Sequence, residues 1–184
     1  MPQTPTTPTP LSSLKTTTHQ IPPYHRIPNT SITHKPLLIY HSAFPPSTFT
    51  SPSQISHHLT TIGAVTPQWT YTMYPTSHFH STTHEVLAIV SGAAKLCFGH
   101  EENTGKVEIT VSKGDVVIVP AGVAHRLLED VEGGFLMVGA YPAGLGWDMC
   151  YGTEGEGDKT GVIRGLGWFR RDPVYRGCGP VLEV

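Results

Sequence analysis

The chain has 184 residues, 38% of them hydrophobic and only 14% charged, which suits one domain of ordinary size and leaves little room for two. A net charge of −2 offers no basic footprint for a nucleic-acid partner. No apolar run approaches the roughly 20 residues of a membrane-spanning helix. Cys97, Cys150 and Cys178 are odd in number and lack CxxC spacing, which argues against a disulfide scaffold or zinc ribbon and for free thiols in a reducing, cytoplasmic setting.

Charge is unevenly spread. No acidic residue precedes Glu85, and the charges before it are Lys15, Arg26 and Lys35. Residues 1–36 read as a flexible Pro/Thr-rich extension, because prolines at 2, 5, 8, 10, 22, 23, 28 and 36 remove backbone donors and prevent helix. The extension lacks the apolar core of a secretory signal and the arginines of a transit peptide. A single domain is expected over 37–184.

Pro36 to Tyr40 is a short apolar strand ended by a Pro45–Pro46 turn. Ser51-Pro52-Ser53 starts a helix with proline in its first turn. Ile55, Leu59 and Ile62 recur at helical spacing, and Gly63 closes the helix. His57 and His58 are expected to face solvent. The period then changes to strand: Trp69–Tyr74, Val86–Ser91, Ala93–Phe98 and the alternating Val107–Val111. Val116–Val119 is a continuous apolar run that reads as buried on both faces, and Phe135–Ala140 is another strand. Short strands punctuated by glycine and proline predict an all-β sandwich or barrel. The glycine-rich stretch from Pro142 to Gly167 is expected to be loop. Tyr141 to Tyr151 overlaps its start and is either the rim of a pocket or a wrap anchored by Trp147. Trp69, Tyr71 and Met73 alternate, so one face lines either a cavity or the core.

The informative segment is His78-Phe79-His80-Ser81-Thr82-Thr83-His84-Glu85. Side chains two apart point the same way from a strand, so His78 and His80 make a two-point grip for a metal. Glu85 lies an odd five residues beyond His80, and only a turn or bulge at Ser81–Thr83 brings it back alongside the histidines. Glu85, Leu87 and Ile89 then share one face, while His84, Val86, Ala88 and Val90 share the other. His125 follows the Pro120-Ala121-Gly122 turn and begins the next strand. Three imidazoles and a carboxylate form an N3O set suited to a divalent first-row metal, with positions left open for another ligand.

At these residues the chain resembles the cupin superfamily (RmlC-like). The first cupin signature, G(x)5HxH(x)3-4E(x)6G, is matched by His78, His80, Glu85 and Gly92, with Thr72 in place of its opening glycine. The second, G(x)5PxG(x)2H(x)3N, is matched by Gly114, Pro120, Gly122 and His125, with Glu129 in place of asparagine. Each occurs once, as in a monocupin. The stretches HFHSTTHEVLAIVSGAAKLCFG, SKGDVVIVPAGVAH and VGAYPAGLGWDMCYG are similar to the YjlB-type monocupins. The resemblance implies a double-stranded β-helix, the cupin jelly-roll barrel, with a metal inside on His78, His80, Glu85 and His125. It also implies a homodimer.

The leading expectation is a metal-dependent cupin acting on a small organic molecule. The family it resembles hosts dioxygenation, oxidative decarboxylation and isomerisation on one scaffold, and a dioxygenase-type oxidoreductase is the one favoured here. The metal would be Fe, Mn, Ni, Cu or Zn. Two alternatives stay open, a non-catalytic cupin that binds a metal or small ligand and a metal-free sugar epimerase or isomerase. No organic cofactor, nucleic acid or membrane partner is expected. No catalytic residue is assigned beyond the ligands, and a cysteine nucleophile is not favoured.

Overall fold

The computed structural model describes residues 6–45 and 51–184. Among these, nine strands form the barrel: Lys15–His19 (β1), Leu37–His41 (β2), Val65–Tyr71 (β3), Glu85–Ser91 (β4), Ala93–Phe98 (β5), Val107–Ser112 (β6), Val116–Val119 (β7), His125–Asp130 (β8) and Leu136–Pro142 (β9). Two helices accompany them, Pro52–Ile62 (α1) and Thr160–Arg164 (α2). A six-stranded sheet runs β1-β2-β7-β4-β9-β3 and a three-stranded sheet β6-β5-β8. Every pairing is antiparallel, as the short punctuated strands predict.

The large sheet is buried on both sides. Val86, Ala88 and Val90 of β4, with Val116 and Ile118 of β7, pack outward under Ile55 and Leu59 of α1 and under Phe169 and Val181. Leu87, Ile89, Val117 and Val119 point inward against Ala94, Leu96, Phe98 and Val111 of the small sheet. Period-two alternation with both faces apolar is what makes Val116–Val119 read as a continuous run. Glu85 has the parity of Leu87 and Ile89, so it faces the barrel interior. On β6 the inward residues Val107, Ile109 and Val111 alternate with wet Glu108, Thr110 and Ser112, because only one face of the small sheet is covered.

The helix forms where the spacing places it. Ser51 accepts from the Gln54 backbone N–H, and the Gln54 side chain accepts from the Ser51 N–H. This reciprocal cap satisfies two otherwise orphaned donors. Pro46 of the expected turn lies outside the described residues. The strand expected at Trp69–Tyr74 begins earlier, at Val65, and ends at Tyr71. Pro67 is tolerated because β3 is an edge strand, and the register shifts between Pro67 and Trp69. Met73 and Tyr74 leave the sheet to line the cavity.

The expectation of a flexible extension does not describe residues 6–36. β1 pairs with β2 residue by residue, from Lys15 with His41 to His19 with Leu37. Its three β-branched threonines suit an exposed edge. Thr9 N–H donates to the Ala43 carbonyl at 2.9 Å, and Asn29 and Thr30 are buried. Prolines excluded α-helix here without excluding strand or the single 3-10 turns at Leu11–Ser13 and Asn29–Ser31. The stretch from Pro142 to Gly167 is mostly irregular, as expected, apart from α2 and one turn of 3-10 helix at Glu154–Glu156.

Candidate metal centre

Each histidine is delivered by a different local device. His78 bridges His125 antiparallel, with His78 N–H donating to the His125 carbonyl at 3.2 Å and His125 N–H donating back at 2.9 Å. This pairing sets the two imidazoles side by side, ring centroids 4.3 Å apart. His80 lies two residues on from His78 and on the same side, and its carbonyl accepts from the Gly122 N–H at 2.9 Å. Gly122 takes φ of +90° and has no room for a Cβ, which would come within 2.8 Å of the Pro28 ring; only glycine fits.

The turn before His125 is braced from the N-terminal segment. Asn29 N–H donates to the Gly122 carbonyl at 2.9 Å, and Asn29 Oδ1 accepts from the Ala124 N–H at 3.1 Å. Asn29 Nδ2 donates to the carbonyls of Pro22 and Gly99. Motif spacing held no sign of this residue. A buried asparagine in a proline-rich stretch is visible only once its partners are placed.

Ser81–Thr83 breaks the strand and brings Glu85 back to the histidines. The break is held by Asp148, whose carboxylate accepts from the Ser81 N–H at 2.6 Å and the Ser81 hydroxyl at 2.5 Å, with further bonds from Thr82. Burial works against the charge on Asp148, but these donors outweigh it and hold its pKa down at about 2. The Asp148 carbonyl also accepts from His80 Nδ1 at 2.5 Å. The Tyr141–Tyr151 segment therefore belongs to the site. Its Trp147 and Met149 line the cavity, as do Trp69, Tyr71 and Met73 of the alternating stripe.

His78, His80 and His125 are buried, with ligand nitrogens all within 4.8 Å of one another. Glu85 reaches two of them: Oε1 is 3.4 Å from His80 Nε2, and Oε2 is 3.3 Å from His125 Nε2. All four predicted residues thus meet in one place, between the start of β4 in the large sheet and the margin of the small sheet.

Hydrogen bonding decides what this group can hold. His78 Nδ1 lies 2.9 Å from the Thr76 carbonyl and His125 Nδ1 3.0 Å from the Val123 carbonyl, like His80 on Asp148. A carbonyl only accepts, so each ring donates through Nδ1 and offers Nε2 as its lone-pair nitrogen when neutral. Burial lowers the pKa of His78 and takes that of His125 down to about 3. Glu85 is fully buried, yet the neighbouring His80 and His125 and the Tyr141 hydroxyl outweigh that burial and hold its carboxyl at about 2. Burial opposes a charged His80, but the Glu85 carboxylate and the Asp148 carbonyl prevail and raise its pKa.

The centre therefore carries a buried anion that draws positive charge toward it. Glu85 Oε2 has no hydrogen-bond partner among the described residues, and buried polar atoms are rarely left so. Three inward nitrogen lone pairs beside an unpartnered carboxylate oxygen fit a divalent cation bound by nitrogen and oxygen.

Behind the ligands, the Tyr141 hydroxyl donates to Glu85 Oε1 at 2.7 Å and accepts from Trp69 Nε1 at 2.7 Å. Trp69 lies flat over Gly139, where a Cβ would fall 2.0 Å from the indole. This chain orients the carboxylate as outer partners of metal ligands do. His84 points the other way, against Trp168 and Phe169, and its Nδ1 accepts from the Ala121 N–H at 2.9 Å.

Several known proteins resemble this chain. The family model described as a cupin domain matches residues 70–138. The chain is 31% identical to the Bacillus subtilis (strain 168) protein named "Uncharacterized protein YjlB", over 92% of this chain and 96% of that one. Among solved structures it is similar to a Lactobacillus farciminis oxalate decarboxylase formate complex, at 12% identity and TM-score 0.35, covering 79% of this chain and 33% of that one. It is also similar to hazelnut (Corylus avellana) vicilin, at 17% identity and TM-score 0.36, covering 72% and 36%. The chain thus spans about a third of those two solved chains. With a relative at this identity along nearly its whole length, the chain belongs to the YjlB-like monocupins.

Proposed function

We propose that His78, His80, Glu85 and His125 together hold one divalent first-row transition metal, from among Fe, Mn, Ni, Cu and Zn. We further propose that the chain acts on a small organic molecule as an oxidoreductase of the dioxygenase kind. The observation that carries this reading is the set of three Nε2 lone pairs, each fixed by a carbonyl on Nδ1, beside the unpartnered Oε2 of Glu85. When bound, the metal supplies Lewis acidity or an oxygen-binding centre. Tyr141 keeps Glu85 oriented, the three carbonyls hold the imidazole tautomers, and Trp69, Met73, Leu87 and Met137 make the cavity wall beside them largely apolar. The convergence of three histidines and a carboxylate speaks against a metal-free sugar epimerase, whose proton transfer needs a single basic histidine.

The setting is proposed to match. The unit is one cupin domain, residues 37–184, preceded by the extension 1–36, of which residues 6–36 are laid along it. It works as a homodimer in the cytoplasm, where Cys97, Cys150 and Cys178 stay free thiols. No helix among the described residues is long and apolar enough to cross a membrane.

The test is purification with the native metal, elemental analysis, and oxygen uptake against diketones, thiols and phenols. About one metal per chain is expected, with uptake on at least one class. A full iron or copper load with no uptake on any class would sink the dioxygenase reading. A co-purifying ligand released unchanged on denaturation would assign binding without turnover. Full metal content in His125→Ala would overturn the ligand set.

A further inference from the structure

The cavity above the four ligands also constrains what enters it. It offers about 210 Å³ and opens to solvent at its mouth; the dry engineered cavity that holds a benzene ring is about 150 Å³. Its inner wall is apolar, with Met73, Leu87 and Met137 buried. Methionine sulfur packs well against the edges of aromatic rings. Trp69 presents a ring that cannot turn, held between Gly139 and the Tyr141 hydroxyl. At the mouth, Tyr71 is 59% and Trp147 45% exposed, an aromatic rim set where a flat molecule would pass.

Charge narrows the choice. Among the described residues, no lysine or arginine lines the cavity, and Glu85 is its one carboxylate. A divalent cation held by one carboxylate and three neutral imidazoles leaves a single positive charge. A monoanion cancels it. A small dianion leaves a surplus negative charge in an apolar box with no cation to pair, which is costly.

From shape and charge together we infer that the cavity takes a single aromatic ring bearing an ionisable hydroxyl, a phenol or catechol monoanion, and rejects small dianions. This rests on reading the four side chains as a divalent-metal site. Ring and hydroxylate would have separate receptors: the Met and Trp walls would take the ring, and a divalent metal held by His78, His80, Glu85 and His125 would supply the positive charge for the oxygen.

The experiment loads the full chain with zinc, which does not oxidise catechol, and confirms zinc by elemental analysis. Catechol and oxalate are then titrated by tryptophan fluorescence and calorimetry, with and without zinc. Catechol is expected to bind about a hundredfold more tightly than oxalate, a difference typical of an unpaired buried charge. Trp147→Arg, a change at an exposed position, is expected to raise oxalate affinity about tenfold and weaken catechol. Oxalate binding as tightly as catechol to a fully zinc-loaded chain would overturn the inference and leave the metal site standing. Failure to retain zinc would overturn the metal site instead. Catechol preference by the zinc-free chain would then still support the ring-binding walls, and no preference would remove both.

Discussion

On the outer face of β4, Val86, Ala88 and Val90 pack beneath α1 and the C-terminal segment, and His84 extends that face against Trp168 and Phe169. On the inner face, Leu87 and Ile89 share a side with Glu85 and the cavity. Both faces are buried, and the two titratable residues are adjacent in the chain. Their charge states are nevertheless opposite. Burial takes His84 down to about 4, so it is neutral, while two histidines and a tyrosine keep Glu85 ionised against the same burial. Depth alone does not set charge. The partners set it, and a one-residue step along a strand chooses which partners a side chain meets.

The strongest way to break this comparison is to exchange neighbouring histidines. His80→Ala is expected to drop bound metal from about one per chain to below about 0.1, because one ligand of four carries much of the grip. His84→Phe is expected to keep it near one. Elemental analysis of both variants reads the contrast directly, and equal losses would erase the distinction between the faces.

A second change tests the outer layer alone. Asp172 is fully buried; it accepts from the Tyr40 hydroxyl at 2.7 Å and from the backbone N–H groups of Val174 and Tyr175. The Tyr40 hydroxyl in turn accepts from the Val181 N–H, so one carboxylate ties the C-terminal segment to β2. Asp172→Ala leaves three donors without their acceptor and is expected to cost about 3 kcal/mol. Urea denaturation measures it, and metal content of the folded fraction is expected to stay unchanged.

The pH dependence of stability sharpens the picture further. His84 binds its proton near 6.5 when unfolded and near 4 when folded. Between those values the unfolded chain holds more protons, so stability falls as pH drops from about 6.5 to 4 and levels off below. The loss attributable to this group is up to about 3 kcal/mol. Urea midpoints of metal-stripped protein at pH 7.5 and 4.5 are expected to differ by less in His84→Phe than in the parent. An identical slope in the two would show that His84 is not the group responsible.

The smallest effect is expected at Asn29, which touches no ligand and braces the turn before His125. Asn29→Ala should weaken metal affinity about tenfold, the lower end for residues that support a ligand at one remove. Competition with a chelator of known affinity measures it. Affinity equal to that of the parent would show that the turn holds itself.

Much of the candidate site was legible in residue spacing. His78 and His80 declare themselves by a two-residue step on an extended chain, and Glu85 and His125 by a register with Gly92 and Gly114 that resembles the cupin signatures. Asp148 was not legible. Its carboxylate acts on Ser81 and Thr82 across more than sixty residues of chain, and spacing arguments reach only neighbours on the same element. Asn29 was hidden for the same reason, within a segment whose composition suggested freedom. The stripe Trp69, Tyr71, Met73 was ambiguous between cavity and core, since both favour apolar side chains; the answer came from which strands stand opposite.

By itself, the sequence determined an all-β chain, the start and end of α1 and the parity of β4, which follow from local periodicity, capping and side-chain alternation operating over a few residues. The four candidate ligands came from the chain's resemblance to the two cupin signatures. Only the tertiary structure decided that residues 15–19 close one edge of the large sheet, that the Tyr141–Tyr151 segment completes the site, and that His84 is shut away from it. Each depends on contacts between distant parts of the chain, where packing and hydrogen-bond satisfaction are settled together rather than residue by residue.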